Sequence, residues 1–272
     1  MKRRRGILPR RHSATSGRLG GARVDRPPVG RLVAAAFAGL VLAQAACAGP
    51  PDYAAQREAL VREIQGQVEQ TRRELGTDRL DPAVITALRK VPREAFVPPA
   101  LRAKAYANHP LPIGSGQTIS QPYVVAVMTQ LLRVKPGDKI YELGTGSGYQ
   151  AAILGEMGAE VYSVEIVPEL AERARRTLER LGYASVHVRA GDGYLGWSEA
   201  APFHGIVVTA AADHVPQPLI DQLATGGRLI MPVGERGWTQ QLVVLEKTPS
   251  GTLERTNVLP VRFVPITGPN VP

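Results

Sequence analysis

The chain has 272 residues, 44% hydrophobic and 21% charged, a balance that excludes wholesale disorder. Its formal net charge of +9 lies wholly in residues 1–48, which hold ten bases and one acid. Residues 49–272 are charge-balanced, which argues against a nucleic-acid-binding body. The single cysteine, Cys47, excludes an internal disulfide framework and a cysteine-based zinc site.

Residues 1–31 are rich in Arg, Gly, Pro and Ser, lack an apolar period and are predicted to be disordered. Leu32 to Ala46 is an uncharged run of fifteen residues. A membrane span needs roughly 20, so no stable transmembrane segment is predicted. A basic segment, a short apolar segment and the small-residue patterns Ala43-Gln44-Ala45 and Ala46-Cys47-Ala48 match a secretory signal. Cys47 also resembles a lipoprotein acceptor, although Gln44 departs from that pattern. The alternatives are a basic leader that is never cleaved and a start codon further downstream. On each reading residues 1–48 stand apart from a single domain over 49–272.

Residues 53–75 predict a helix, with Leu60, Ile64 and Val68 on one face. Asp81-Pro82 opens a second helix, with Asp81 as N-cap, and Pro92, Pro98 and Pro99 close it. Residues 106–122 read as a structured loop. Pro122–Leu132 reads as a helix, ended by the turn Lys135-Pro136-Gly137-Asp138. From Lys139 strands and helices alternate. Strands are predicted at Lys139–Leu143, Glu160–Glu165, Val186–Arg189, Gly205–Thr209 and Arg228–Pro232. Helices are predicted through Met157, over Pro168–Leu181 and over Pro218–Leu223. Gly226-Gly227 reads as a turn, and Gln240–Glu246 and Leu259–Val264 as late β-rich runs. This order implies an α/β fold, a mostly parallel doubly wound sheet with N-terminal helices. Ligands on such sheets sit at the carboxyl ends of the strands.

Tyr141-Glu142-Leu143-Gly144-Thr145-Gly146-Ser147-Gly148-Tyr149 runs from strand to helix through three alternate glycines. Glycines there let the backbone turn sharply and approach a ligand. Tyr149 stands where the dinucleotide pattern needs its third glycine, and no Gly-Lys-Ser/Thr follows, so neither a dinucleotide site nor a P-loop is indicated. Glu165, 19 residues after Gly146, ends the second strand and can accept hydrogen bonds from ribose hydroxyls. Asp192, in Gly191-Asp192-Gly193, can accept from an adenine amino group. Each feature alone also reads as an ordinary turn or strand end. No base lies in the glycine turn, which favours an adenosyl sulfonium ligand over one with phosphates. His109, His187, His204 and His214 show no metal-ligand spacing, so no metal is expected. Trp197 and Trp238 are assigned to packing.

These residues resemble those of the protein-L-isoaspartate O-methyltransferase family, class I S-adenosylmethionine-dependent enzymes, over about residues 53–268. The resemblance is carried by Val91–Pro98, Leu111-Pro112-Ile113-Gly114, Gly116-Gln117-Thr118-Ile119-Ser120-Gln121-Pro122, Glu142–Gln150, Gly191-Asp192-Gly193, Gly226-Gly227-Arg228 and Pro232-Val233-Gly234. It implies a Rossmann-like class I methyltransferase fold, with N-terminal helices and a substrate loop over 49–135 and the cofactor-binding sheet over 136–272. It implies S-adenosyl-L-methionine held by Glu142, Gly144, Thr145, Gly146, Gly148, Glu165 and Asp192. It implies a catalytic Ser120 at the site receiving the isoaspartyl carboxylate, with Thr118 and Gln121 beside it. The expected partners are isoaspartyl proteins and peptides, with no nucleic acid, and the expected state is a monomer. The family's usual compartment is the cytoplasm, whereas the leader points to export. His204 and Asn108 stand where the family commonly has acids, and Thr129-Gln130 also departs from it.

A carboxyl acceptor of pKa about 4 is already ionised near neutrality, so its methylation needs no general base. Ser120 can donate one hydrogen bond to it, and the following helix offers its amino end to an anion. Ser120 could instead be that helix's N-cap. The competing readings are methylation of another carboxylate, a non-enzymatic envelope protein that kept the fold, and a nicotinamide oxidoreductase, which the glycine spacing disfavours.

Overall fold

A computed structural model of the chain describes residues 52–235 and 237–271. The leader expectations fall outside them. Helix α1 spans Tyr53–Gln70, and its side chains Leu60, Val61, Ile64 and Val68 are buried. It does not run to residue 75. The Thr71 hydroxyl donates back to the Gln67 carbonyl and meets the Tyr123 hydroxyl, and a separate turn α2 (Arg72–Leu75) ends at left-handed Gly76. Helix α3 (Pro82–Lys90) is capped by Asp81, whose carboxylate accepts from Ala83 N at 2.7 Å.

The expected loop 106–122 contains a two-stranded antiparallel hairpin, β1 (Leu111–Gly114) and β2 (Gln117–Ile119). Gly114, Ser115 and Gly116 all take positive φ (95°, 52° and 70°), and this left-handed run reverses the chain within three residues. Helix α4 (Pro122–Leu132) follows, with the predicted bounds.

The main sheet has the order β5-β4-β3-β6-β7-β8-β9. Its strands are β3 (Lys139–Leu143), β4 (Glu160–Glu165), β5 (Val186–Ala190), β6 (Phe203–Val208), β7 (Leu223–Val233), β8 (Gln240–Lys247) and β9 (Leu253–Val261). Strands β3 to β7 are parallel, and β8 and β9 add an antiparallel edge. The connecting helices are α5 (Tyr149–Glu156), α6 (Pro168–Arg180) and α7 (Gln217–Asp221). The strand order reverses between β3 and β6, which opens a crevice at their carboxyl ends.

Alternation along the strands divides the core in two. Ile140, Val207, Ile230, Leu242 and Val244 pack into one apolar cluster with α1, α3, α4, α5 and α6. Tyr141, Ile206, Val208, Leu229, Met231 and Val243 point the other way, into a cluster closed by α7 and residues 194–203. Each fully buried Leu or Ile contributes about 1.5–3 kcal/mol by leaving water.

Strands β5, β6 and β8 differ from expectation by one or two residues at an end, and β7 and β9 by more. Gly226-Gly227 lies inside β7, where the pairing with β6 jumps from Phe203–Leu223 to Gly205–Arg228. The glycines make an irregularity in the strand, not a reversal. Strand β9 begins at Leu253 and stops at Val261, ahead of the predicted end. Trp197 packs as expected, edge-on to Tyr162 and beneath the Arg189 guanidinium at 4.0 Å. Trp238 does not pack; it is 71% exposed.

Candidate active site

A cavity of about 660 Å³ lies at the carboxyl ends of β3, β4 and β6 and reaches the hairpin on one side and residues 259–267 on another. Its wall includes Thr118, Ser120 and Gln121 from the substrate loop. It also includes Glu142, Gly144, Thr145, Gly146, Glu165 and Asp192. Gly148 is the exception among the sequence-derived site residues. It sits behind the wall as the left-handed first residue ahead of α5 (φ 87°), so close to α6 that a Cβ would meet Leu178 at 3.2 Å.

The glycine turn is held from both neighbouring strands. Gly144 has φ 96°, and a Cβ there would lie 2.4 Å from Thr209 Oγ1, so the position admits glycine alone. Thr209, which the sequence reading did not single out, donates its hydroxyl to the Gly144 carbonyl at 2.6 Å. From β4, Glu165 accepts from Gly146 N at 2.7 Å through Oε2 and from Val167 N at 3.0 Å through Oε1. A carboxylate has about four acceptor sites, so each oxygen keeps one for a ligand hydroxyl.

Glu142 is fully buried. Its Oε2 accepts from the Ser163 hydroxyl, which also meets Thr145 Oγ1, while its Oε1 has no hydrogen-bond partner. Burial pushes its carboxyl up to about 8; the Ser163 bond offsets part of that shift and the charge of Glu165 adds to it. Asp192 accepts from Tyr194 N at 2.9 Å, and its other oxygen accepts from Asn270 N at 3.2 Å and Asn270 Nδ2 at 2.8 Å. The carboxylate expected to meet an adenine is thus anchored to the segment that follows β9.

Three acids therefore line this end of the cavity, and among the described residues the wall holds one cation, Arg262, which is exposed. An orphaned carboxylate oxygen in an acidic wall fits a cationic ligand with N–H donors and hydroxyls. Among the described residues, no group of three metal-ligating side chains is assembled.

At the other end, Ser120 does not cap α4. Asn108 does so from outside the helix: its Oδ1 accepts from Tyr123 N at 3.0 Å, and its Nδ2 donates to Gln67 Oε1 at 3.0 Å. Gln121 Nε2 donates to the Asn108 carbonyl at 3.0 Å, so that amide ties the loop together. Among the described residues no hydrogen bond engages the Ser120 hydroxyl, while its carbonyl accepts from Arg93 Nη2 at 2.8 Å. The other departures also have places. His204 Nδ1 accepts from Lys139 N at 2.9 Å at the start of β3, and Thr129 Oγ1 accepts from Gln150 Nε2 at 2.9 Å. Gln130 Oε1 accepts from Asp81 N at 2.7 Å.

The reversed strand order, the three-glycine turn after β3 and an acid at the end of β4 define a Rossmann-like class I methyltransferase fold. The family model for protein-L-isoaspartate(D-aspartate) O-methyltransferase matches residues 67–270. The chain belongs to that family. It is 56% identical over 216 residues to a protein-L-isoaspartate O-methyltransferase of Syntrophobacter fumaroxidans, covering 79% of this chain and 87% of that one. It is 62% identical over 185 residues to one of Gloeobacter violaceus, covering 68% and 90%. A solved protein-L-isoaspartate O-methyltransferase superposes with a TM-score of 0.68 at 29% identity, covering 78% of this chain and 66% of that one. A Plasmodium falciparum structure described as this type of enzyme, in complex with S-adenosyl-L-homocysteine, gives 0.66 at 24% identity, covering 80% and 99%, a likeness of fold.

Proposed function

We propose that this chain transfers the methyl group of S-adenosyl-L-methionine to the free carboxylate of L-isoaspartyl residues in damaged proteins and peptides, the first step of their repair. Family membership supports the activity. The observation that carries the site is one continuous cavity joining the acidic glycine turn to a Ser120 hydroxyl without an internal partner.

The methyl donor supplies an electrophilic carbon on a sulfonium. The chain's part is to bind, orient and exclude water. Glu165 and Asp192, joined by Glu142 once the donor's cation favours its ionised form, give the donor end its negative potential; Glu165 faces the ribose and Asp192 the adenine. Gly144 and Gly146 let the backbone come close. Ser120 donates its hydroxyl to one oxygen of the acceptor carboxylate and leaves the other to attack, with Thr118 and Gln121 forming the rim and the amino end of α4 favouring the anion. An ionised acceptor has no proton to lose, so rate enhancement rests on positioning.

The test is methyl transfer to an isoaspartyl peptide and to the same peptide with normal Asp. Labelling of the first alone is expected; equal labelling of both, or of neither, overturns the reading. Ser120→Ala should lower turnover about tenfold or more, the worth of a hydrogen bond to a charged group, with donor affinity unchanged. For the compartment, the mature amino terminus decides: Ala46, Cys47 or Gly49 means export, and Met1 means none.

A further inference from the structure

We infer that Arg93 is a positioning residue for the acceptor carboxylate, fixing the backbone of Ser120 and placing an unneutralised cation behind the wall that the carboxylate meets. This rests on the function proposed above.

Arg93 is 0% exposed. Its Nε donates to the Ala105 carbonyl at 2.8 Å and its Nη2 to the Ser120 carbonyl at 2.8 Å. The guanidinium lies over the Tyr149 ring, 4.8 Å from its centroid. Ser120 and Tyr149 both line the cavity, and Arg93 stands one side chain behind them. One group thus ties the substrate loop to the first turn of α5, the helix that leaves the glycine turn.

Its charge has no anionic partner. Among the described residues no acid forms an ion pair with Arg93, and Nη1 is buried without a hydrogen-bond partner. The neighbouring Glu94 is turned to Arg57, 3.6 Å away, and to the Tyr106 hydroxyl. Burial pushes the guanidinium down to about 10, which leaves it charged at neutral pH. A buried cation is costly unless an anion or hydrogen bonds compensate it, and its field reaches further in a low-dielectric surround. Glu165 and Asp192 put acids at the donor end of the cavity, which disfavours a carboxylate there. Arg93 marks the end where an anion is favoured, so the missing counter-charge is the substrate's own.

The experiment compares wild type, Arg93→Lys and Arg93→Met with an isoaspartyl peptide, measuring KM, kcat and, separately, donor affinity by calorimetry. Arg93→Met loses charge and fork, and its peptide KM should rise about tenfold or more, with donor affinity within about twofold of wild type. Arg93→Lys keeps the charge but one ammonium cannot hold the two carbonyls, so KM should rise about threefold or more. An unchanged peptide KM in either variant that binds the donor normally overturns the inference, and so does a parallel loss of donor affinity, the mark of a merely structural role. Should Arg93→Met fail to fold, Arg93→Lys alone carries the test. A wild-type enzyme that labels no isoaspartyl peptide sinks the proposed function instead, which keeps the two failures apart.

Discussion

The backbone N–H of Gly146 points at the Glu165 carboxylate, 2.7 Å away, across 19 residues of sequence. The acid proposed to meet the donor's ribose is thereby also the brace of the glycine turn. Glu165→Ala should weaken donor binding by about 1–3 kcal/mol, while Glu165→Gln, which keeps one acceptor for the turn, should lose less. Calorimetric titration of both variants checks this; equal losses would separate the ribose from the brace and leave the brace without effect.

Donor binding should depend on pH through Glu142. In the free protein burial holds its carboxyl near 8, so at pH 7 it is mostly protonated, and a cation arriving beside it favours the ionised form. Binding then releases a proton, and affinity rises from pH 6 to pH 8 before levelling off. Titration in two buffers of different ionisation enthalpy reads the proton directly; no release at pH 7 refutes the assignment. The same shift has a stability consequence. The folded state holds this proton more tightly than the unfolded chain, so the contribution is fully present below the ordinary carboxylate range and is lost as pH rises through about 8. The donor-free protein should therefore melt at a lower temperature at pH 9 than at pH 6.

Asn108→Ala removes the acceptor for Tyr123 N and leaves the first turn of α4 without its remote cap. A lost cap costs about 1 kcal/mol, visible as a lower denaturant midpoint. Asn108→Asp should restore the cap but lose the donor to Gln67. A midpoint unchanged in Asn108→Ala would show that solvent satisfies the helix end as well.

Asn270→Ala keeps its backbone bond to Asp192 and loses the 2.8 Å side-chain bond. Donor affinity should fall by about 0.5–1.5 kcal/mol, because Asp192 loses one of the donors that fix its direction. Ending the chain at Thr267 removes both bonds and should cost more. Unchanged affinity in the shortened chain would show that Asp192 needs no support from this segment.

The elements built on local pattern were legible. Strands β3 and β4 are short runs of β-prone residues, Ile140 to Leu143 ahead of Gly144 and Val161 to Val164 ahead of the helix that Pro168 opens, and α4 starts at Pro122, so their bounds could be read directly. The hairpin was not, because Pro112 interrupts a run too short to alternate and its reversal depends on a left-handed Ser115. Gly226-Gly227 looked like a turn because paired glycines usually reverse a chain; the neighbouring strand instead draws them into β7. The glycine turn and its acids could be found because each sits at a strand end. The roles of Arg93, Thr209 and Asn270 could not, nor could that of Asn108, which stood out only as a departure from the family pattern, since each acts on a residue 15 to 78 positions away. Trp238 shows the converse error, a large aromatic assigned to packing that stands in solvent.

The break at Thr71 has a mechanical meaning. Helix α1 is a rod of 18 residues, about 27 Å long, and the Thr71 hydroxyl at its carboxyl end is hydrogen-bonded to Tyr123 in the first turn of α4. Because α1 is itself locked into the core through Leu60, Val61, Ile64 and Val68, that bond holds the first turn of α4, three residues beyond Ser120, at a fixed distance from the core.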